Sequence, residues 1–211
     1  MRKFLYCAVA IALAAGIGFS IGPTAEAGKN KALKLGTEAP VADIELKATD
    51  GKLHTLASVQ GKMGTLIIFS CNSCPWAVKW ESRVASIGNE YQDKGFGVIV
   101  INSNDPERAS EDGFDEMVAR AKTLAYEFPY VADSTSRVAR AFGASRTPEV
   151  FLFNANGKLA YHGAIDDNPS DANAVEAAYL KDALNALISG KAILTTETKA
   201  LGCGIKYSSD S

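Results

Sequence analysis

Histidine and cysteine are scarce in this chain, and their scarcity narrows its chemistry. Two histidines, His54 and His162, and four cysteines, Cys7, Cys71, Cys74 and Cys203, are spread over 211 residues. The histidines lie far in sequence from each other and from the cysteines, so neither is placed as an obvious metal ligand, and both read as structural. An excess of either charge is missing too: 22 Lys and Arg face 24 Asp and Glu, a net charge of −2, mixed along the chain. Without a basic cluster there is no electrostatic footprint for nucleic acid. Internal repeats and low-complexity linkers are absent, and the composition is that of an ordinary globular protein.

Only one long apolar run occurs, and it stands at the N-terminus. Arg2 and Lys3 precede an almost uncharged stretch from Phe4 to Ile21, and Ala25-Glu26-Ala27 forms a small-residue cleavage box. That is the pattern of an export signal, with the mature chain starting at Gly28. The competing reading is an uncleaved anchor, since the run is nearly long enough to span a bilayer. Its richness in Ala and Gly and the good cleavage box favour removal, with no stable membrane insertion afterwards. The expected organisation is a signal over 1–27, one domain over 28–190, and a tail over 191–211 carrying Cys203. Cys7 leaves with the signal. Exported chains usually pair their cysteines, and the three that remain leave a free thiol or an exchanging set.

The coarse pattern is α/β. Ala42 to Ala48, the turn Asp50-Gly51 and Lys52 to Leu56 read as a hairpin. Gly64 to Phe69 is a short buried strand, and Trp76, Trp80, Val84 and Ile87 then fall at helical spacing through Tyr91. Gly97 to Ile101 is a second buried strand, apolar on both faces as central parallel strands are. A helix over 114–126 follows, then a short edge strand at 129–131 and a short helix over 136–142 closed by Gly143. Thr147 to Phe153, the Asn154–Gly157 turn and Leu159 to His162 form a late hairpin. Residues 165–173 read as a polar loop in which Asp166 and Asp167 are solvated. A helix over 175–188 carries Leu180, Leu184, Leu187 and Ile188 as its buried stripe. The order implies a mixed sheet with helices on both faces.

Cys71 and Cys74 sit at the seam between the first buried strand and its helix. A thiol at a helix N-terminus meets unpaired N–H groups and the positive end of the dipole, and both favour the reactive thiolate. Pro75 suits the first turn, where its missing N–H costs nothing. Cys74 is therefore the candidate nucleophile, its sulfur expected partly exposed beside Pro75 and Trp76. Cys71 and Cys203 are the candidate resolving thiols. The Gly202-Cys203-Gly204 setting suggests a mobile, unhindered sulfur on a tail long enough to reach back.

These residues resemble the thioredoxin superfamily over roughly Leu35 to Leu187. The resemblance is to its exported redoxin branch, similar to the alkyl hydroperoxide reductase/thiol-specific antioxidant family and to periplasmic thioredoxin-like reductases. It rests on Gly36-Thr37-Glu38-Ala39-Pro40, Gly61-Lys62, the Phe69-x-Cys71-x-x-Cys74-Pro75 stretch and Arg146-Thr147-Pro148, in that order. It implies a thioredoxin-like fold: a central mixed sheet flanked by helices on both faces, with an N-terminal hairpin and a C-terminal tail. It also implies a cis bond before Pro148, facing the redox cysteine. Thr147, Pro148, Arg146 and Trp76 would then contact the substrate, with Arg146 close enough to favour a thiolate.

One departure stands out. Counted from Phe69, the place of the first redox cysteine in ordinary thioredoxins falls on Cys74, and its usual partner three residues on is Ala77. Cys71 lies upstream instead. Three functions follow. The first is thiol–disulfide exchange on protein or small-molecule disulfides, fed by a thiol electron donor and needing no cofactor. The second is peroxide reduction through a sulfenic acid. Peroxiredoxins usually carry Thr or Ser where this chain has Cys71, which lowers that reading. The third is carriage of Cu(I) or zinc on thiolates.

Overall fold

Strand by strand, alternate apolar residues turn to opposite sides of one sheet and build two cores. The structure is a computed structural model that describes residues 31–209. The export signal, its cleavage box and Cys7 lie outside those residues. In chain order the elements are β1 (Leu46–Ala48), β2 (Leu53–His54), β3 (Gly64–Phe69), α1 (Pro75–Asp93), β4 (Phe96–Asn102), α2 (Phe114–Thr123), β5 (Tyr130–Ala132), α3 (Arg137–Phe142), β6 (Arg146–Thr147), β7 (Glu149–Asn154), β8 (Leu159–Gly163), α4 (Tyr179–Ile188) and β9 (Cys203–Gly204).

Strands pair in the orders β2-β1-β5-β4 and β3-β7-β8, and β3 lies beside β4 to join them into one mixed sheet. The Ser70 N–H donates to the Ile101 carbonyl at 2.9 Å, which aligns the C-terminal ends of β3 and β4 and makes them parallel. The crossover between them is α1, the βαβ connection that parallel neighbours require. Leu66, Ile68, Val98, Val100, Val150 and Leu152 pack with Trp80, Val84 and Ile87 of α1 and with Leu180 and Leu184 of α4. Their neighbours Ile67, Phe69, Ile99, Ile101, Phe151 and Phe153 face the other way, onto Val138, Ala139 and Phe142 of α3. This alternation is the period of two in a strand buried on both sides. Phe69, Phe142 and Phe151 meet edge-to-face with centroids 5.2–5.6 Å apart.

Several expectations need correction. The segment at 129–131 is not an edge strand. β5 lies inside the sheet, parallel to β4 and antiparallel to β1, because the N-terminal hairpin adds outside it. That hairpin is shorter than expected: Val41 turns at φ 49°, and the Ile44 N–H closes back on its carbonyl. Residues 165–173 are not simply a solvated loop, since Ile165 and Asp166 are buried. Asp166 accepts from Trp80 Nε1 at 2.8 Å and from Arg83 Nη1 at 2.6 Å, so the apparent loop acid is an internal anchor for α1. Asp167 is exposed. α4 begins at Tyr179 rather than Val175, because Ala177 O and Leu180 N–H bond Asp167 and Ile165 instead of helical partners. Ile188 is exposed and Ala183 takes its place in the buried stripe. α2 stops at Thr123.

Candidate thiol site

The strand β3 ends at Phe69, and the four residues Ser70–Ser73 carry the chain to α1, whose N-cap is Cys74 at φ −82°, ψ 119°. Such a bend would leave main-chain donors unpaired in the interior, at a cost of roughly 1–3 kcal/mol each. The carboxylate of Asp112, itself buried, prevents this. It accepts the N–H groups of Asn72 at 2.6 Å and Ser73 at 3.2 Å and the Ser73 hydroxyl at 2.6 Å. Asn102 Nδ2 and Asn104 Nδ2 donate to the same carboxylate at 3.2 and 2.8 Å. Asn72 is pinned further by the Glu111 carbonyl and the Tyr130 hydroxyl. The loop between the two cysteines is therefore rigidly held, and it holds Cys71 in the interior.

Three sulfurs gather at the start of α1. Cys71, Cys74 and Cys203 are free thiols, packed together with Ala77. The Cys74 sulfur lies 3.1 Å from the Thr147 carbonyl, and the Cys203 N–H donates to it at 3.4 Å. Cys71 Sγ lies 3.2 Å from Thr147 Oγ1.

This arrangement separates the thiols electrostatically. Cys74 is lowered to about 4, first because the Cys71 thiol hydrogen-bonds its charged form. The Cys203 thiol and the N–H groups of Ala77 and Cys203 add to this, while burial opposes it. The Ala77 N–H approaches the sulfur without completing a capping bond. Cys71 is driven far above the ordinary thiol range by its bond to Cys74, by burial and by the Asp112 charge, with the Thr147 hydroxyl acting the other way. Cys203 is raised by burial and by Cys74, and lowered by the Trp76 N–H and Lys206. One site thus holds one thiolate and two protonated thiols. The Thr147 carbonyl is the contact that prefers Cys74 protonated.

The Thr147–Pro148 bond is cis, and it presents the Thr147 main chain to the sulfurs. A second carboxylate fixes the preceding turn. Glu149 Oε2 accepts the N–H groups of Ser145 at 2.7 Å and Arg146 at 2.9 Å, and Oε1 pairs with His162 Nε2 at 2.8 Å. His162 thus braces the turn beside the cysteines. Arg146 is exposed, and its guanidinium donates to the Gly202 carbonyl at 3.3 Å. Trp76 stands at the rim, 38% exposed and stacked on Trp80 at 6.3 Å.

Two expectations about exposure fail here. Cys74 is only 2% exposed, not partly open to solvent. The reason is the tail, which is neither loose nor unhindered: β9 pairs antiparallel with β6, Thr147 opposite Cys203 and Arg146 opposite Gly204. Sequence reasoning placed Cys71, Cys74, Cys203, Thr147 and Pro148 among the site residues, and all five meet. It missed Asp112, Glu149 and Lys206, whose ammonium reaches Ser73 Oγ at 3.2 Å. Among the described residues, no group of three or more His, Cys, Asp or Glu side chains is placed to hold a metal ion.

Comparisons with known proteins bear on the fold and the family. A hypothetical protein of known structure from Sinorhizobium meliloti 1021 is 36% identical with a TM-score of 0.78, over 85% of this chain and 97% of that one. The thiol-disulfide oxidoreductase ResA of Halalkalibacterium halodurans is 25% identical over 114 residues, 54% of this chain, and the match spans 60% of that relative's length. A thioredoxin-like protein solved in its oxidized form shares the fold, with a TM-score of 0.58 at 18% identity over 74% of this chain and 97% of that one. The AhpC/TSA family profile matches residues 35–162. A thioredoxin-like mixed sheet, a cysteine at the N-cap position of the helix that follows β3 and a match across most of the described residues together make this chain a member of the AhpC/TSA family of redoxins.

Proposed function

We propose that the protein is an exported thiol–disulfide oxidoreductase in which Cys74 attacks and Cys71 or Cys203 resolves. The observation that carries this reading is the place of Cys74 at the N-cap of α1, with the Cys203 N–H on its sulfur at 3.4 Å and the Cys71 and Cys203 side chains packed beside it, an arrangement that favours its thiolate. A thiolate is the nucleophile in disulfide exchange. It attacks one sulfur of the substrate disulfide, a bond from Cys74 to that sulfur forms, and the substrate S–S bond breaks. The departing thiolate takes a proton. Cys71 or Cys203 then loses its proton and attacks the Cys74 sulfur, which releases the second substrate thiol and closes an internal bridge. Two electrons pass from enzyme to substrate, and an external thiol donor restores the dithiol. The Thr147 main chain and Pro148 hold the substrate beside the sulfur, with Trp76 and Arg146 at the rim.

Export rests on the N-terminal pattern of residues 1–27; no helix among the described residues is long and apolar enough to cross a membrane. The family match supports a second reading, peroxide reduction. There Cys74 breaks the O–O bond, becomes a sulfenic acid, and condenses with a resolving thiol to release water.

Reduction of a small aromatic disulfide by the purified mature chain tests the first reading. Cys74→Ser should abolish it, and Cys203→Ser should leave a residual rate. Loss confined to Cys71→Ser would reverse the assigned roles. A stoichiometric pulse of hydrogen peroxide supplies the other arm, since rapid sulfenic acid formation at Cys74 would favour the peroxidase.

A further inference from the structure

The edge of β6 faces the sulfurs, and it is already taken. Cys203 and Gly204 run along it as β9, with Thr147 opposite Cys203 and Arg146 opposite Gly204, and Gly202 leads in as a bend. The Ile205 N–H continues the pairing onto the Ser145 carbonyl at 3.1 Å. Gly202 lies flat against the turn: a Cβ there would meet the Thr147 carbonyl oxygen at 2.2 Å and the Pro148 nitrogen at 3.2 Å. Only a glycine lets the tail come this close.

The segment is anchored on both flanks. Downstream, Ile205 is buried in the α3-side core, the Lys206 N–H donates to Asn104 Oδ1 at 2.8 Å, and the Lys206 carbonyl accepts from the Asp105 N–H at 2.7 Å. Upstream, Thr196 and Thr198 are tied to the His162 main chain, and Thr198 Oγ1 accepts the Ala164 N–H at 2.8 Å. Between Thr198 and Gly202, Lys199 and Leu201 are exposed. The paired stretch is thus a short span between two anchors, and its pairing with β6 can break while both hold.

A polypeptide laid along Thr147 would need the same main-chain donor and acceptor that the tail uses. One edge cannot pair with two strands. We propose that Gly202–Gly204 is a tethered occupant of this edge, so that a polypeptide disulfide reaches Cys74 only when the segment lifts from Thr147. Gly202 sets how tightly it sits. The inference rests on Cys74 being the attacking thiolate. It also gives the two resolving thiols separate duties. Cys71 stays beside Cys74 while a polypeptide is bound, and Cys203 returns as the tail does.

Gly202→Val tests the idea without touching a cysteine, because the side chain collides with backbone and lifts the strand. Loss of its pairing should shift the docked population toward open and raise kcat/KM for a polypeptide disulfide such as insulin by about tenfold or more. Ile205→Ala, which loosens the buried anchor, should act in the same direction. Unchanged insulin reduction in both folded variants, with the small aromatic disulfide still reduced, would overturn the proposal and leave the oxidoreductase reading standing. Failure of the unmodified protein on both disulfides would instead remove that underlying reading. If neither variant folds, hydrogen exchange on the Cys71→Ser/Cys203→Ser chain decides. With a polypeptide trapped on Cys74 as a mixed disulfide, the amide of residue 203, which faces Thr147 in the docked tail, should exchange faster than in the free protein, and unchanged protection would overturn the proposal.

Discussion

Replacing Cys71 by alanine should raise the pKa of Cys74, because the Cys71 thiol is the largest support of its charge. A hydrogen bond to a charged group contributes roughly 1.5–3 kcal/mol, and one pKa unit corresponds to about 1.4 kcal/mol, so the loss is worth about one to two units. From about 4 in the native chain, the midpoint should move up by that amount, and Cys74 should remain ionised at neutral pH. Cys203→Ala removes the weaker thiol donor but keeps the Cys203 N–H, so its shift should be smaller. The double variant should titrate highest. Thiolate absorbance near the ultraviolet edge, followed from acid to alkaline pH on the reduced chain, reads all four proteins. The sign for stability follows. The Cys74 pKa is depressed on folding, so its contribution is fully present above the ordinary thiol value of 9.0 and is lost as pH falls through about 4. Cys71 is raised on folding, so it favours the folded state below that ordinary value and opposes it in alkali. The reduced protein should therefore lose thermal stability between pH 9 and 4 more steeply than an oxidised sample whose Cys74 is bridged. A native midpoint in the ordinary thiol range, or no movement in Cys71→Ala, would refute the reasoning.

Two further perturbations probe the supports. Asp112→Ala strips the acceptor from the Asn72 and Ser73 N–H groups, and two buried donors at roughly 1–3 kcal/mol each put the expected loss near 3 kcal/mol in urea unfolding. The same change should bring the Cys71 thiol down, since a negative charge beside it is gone. Asp166→Ala leaves the Trp80 indole and the Arg83 guanidinium short of their carboxylate, and orphaning a buried charge costs about 3–5 kcal/mol. Arg83 keeps the Asn168 and Pro169 carbonyls, so the lower end of that range is expected.

What the sequence revealed was local, and what it hid was long-range. The strand–helix seam at Phe69 to Trp76 shows where a short continuous apolar run gives way to helical spacing, and that change together with Pro75 placed Cys74 at a helix start. Leu180 and Leu184 are buried for the same reason. Asp112 left no such trace. It sits in the acidic run Glu111-Asp112, which reads as surface, yet it serves a loop 40 residues away. Asp166 and Glu149 are hidden the same way, because a carboxylate buried on side-chain or main-chain donors looks in sequence like any solvated acid. The position of β5 inside the sheet depends on where the N-terminal hairpin docks, and no periodicity encodes that. The tail is the sharpest case. Gly202-Cys203-Gly204 suggested freedom, but here glycine permits close approach to Thr147, and the two uses of glycine are identical in sequence.

The central claim is that Cys74 is the exchanging sulfur. A redox titration of the mature chain, with thiol trapping and peptide mapping at each potential, tests it most directly. Reversible two-electron bridging of Cys74 to Cys71 or Cys203 is the predicted result. A Cys74 that stays trappable as a free thiol across the whole titration, while the other two cysteines pair or nothing pairs, would contradict it.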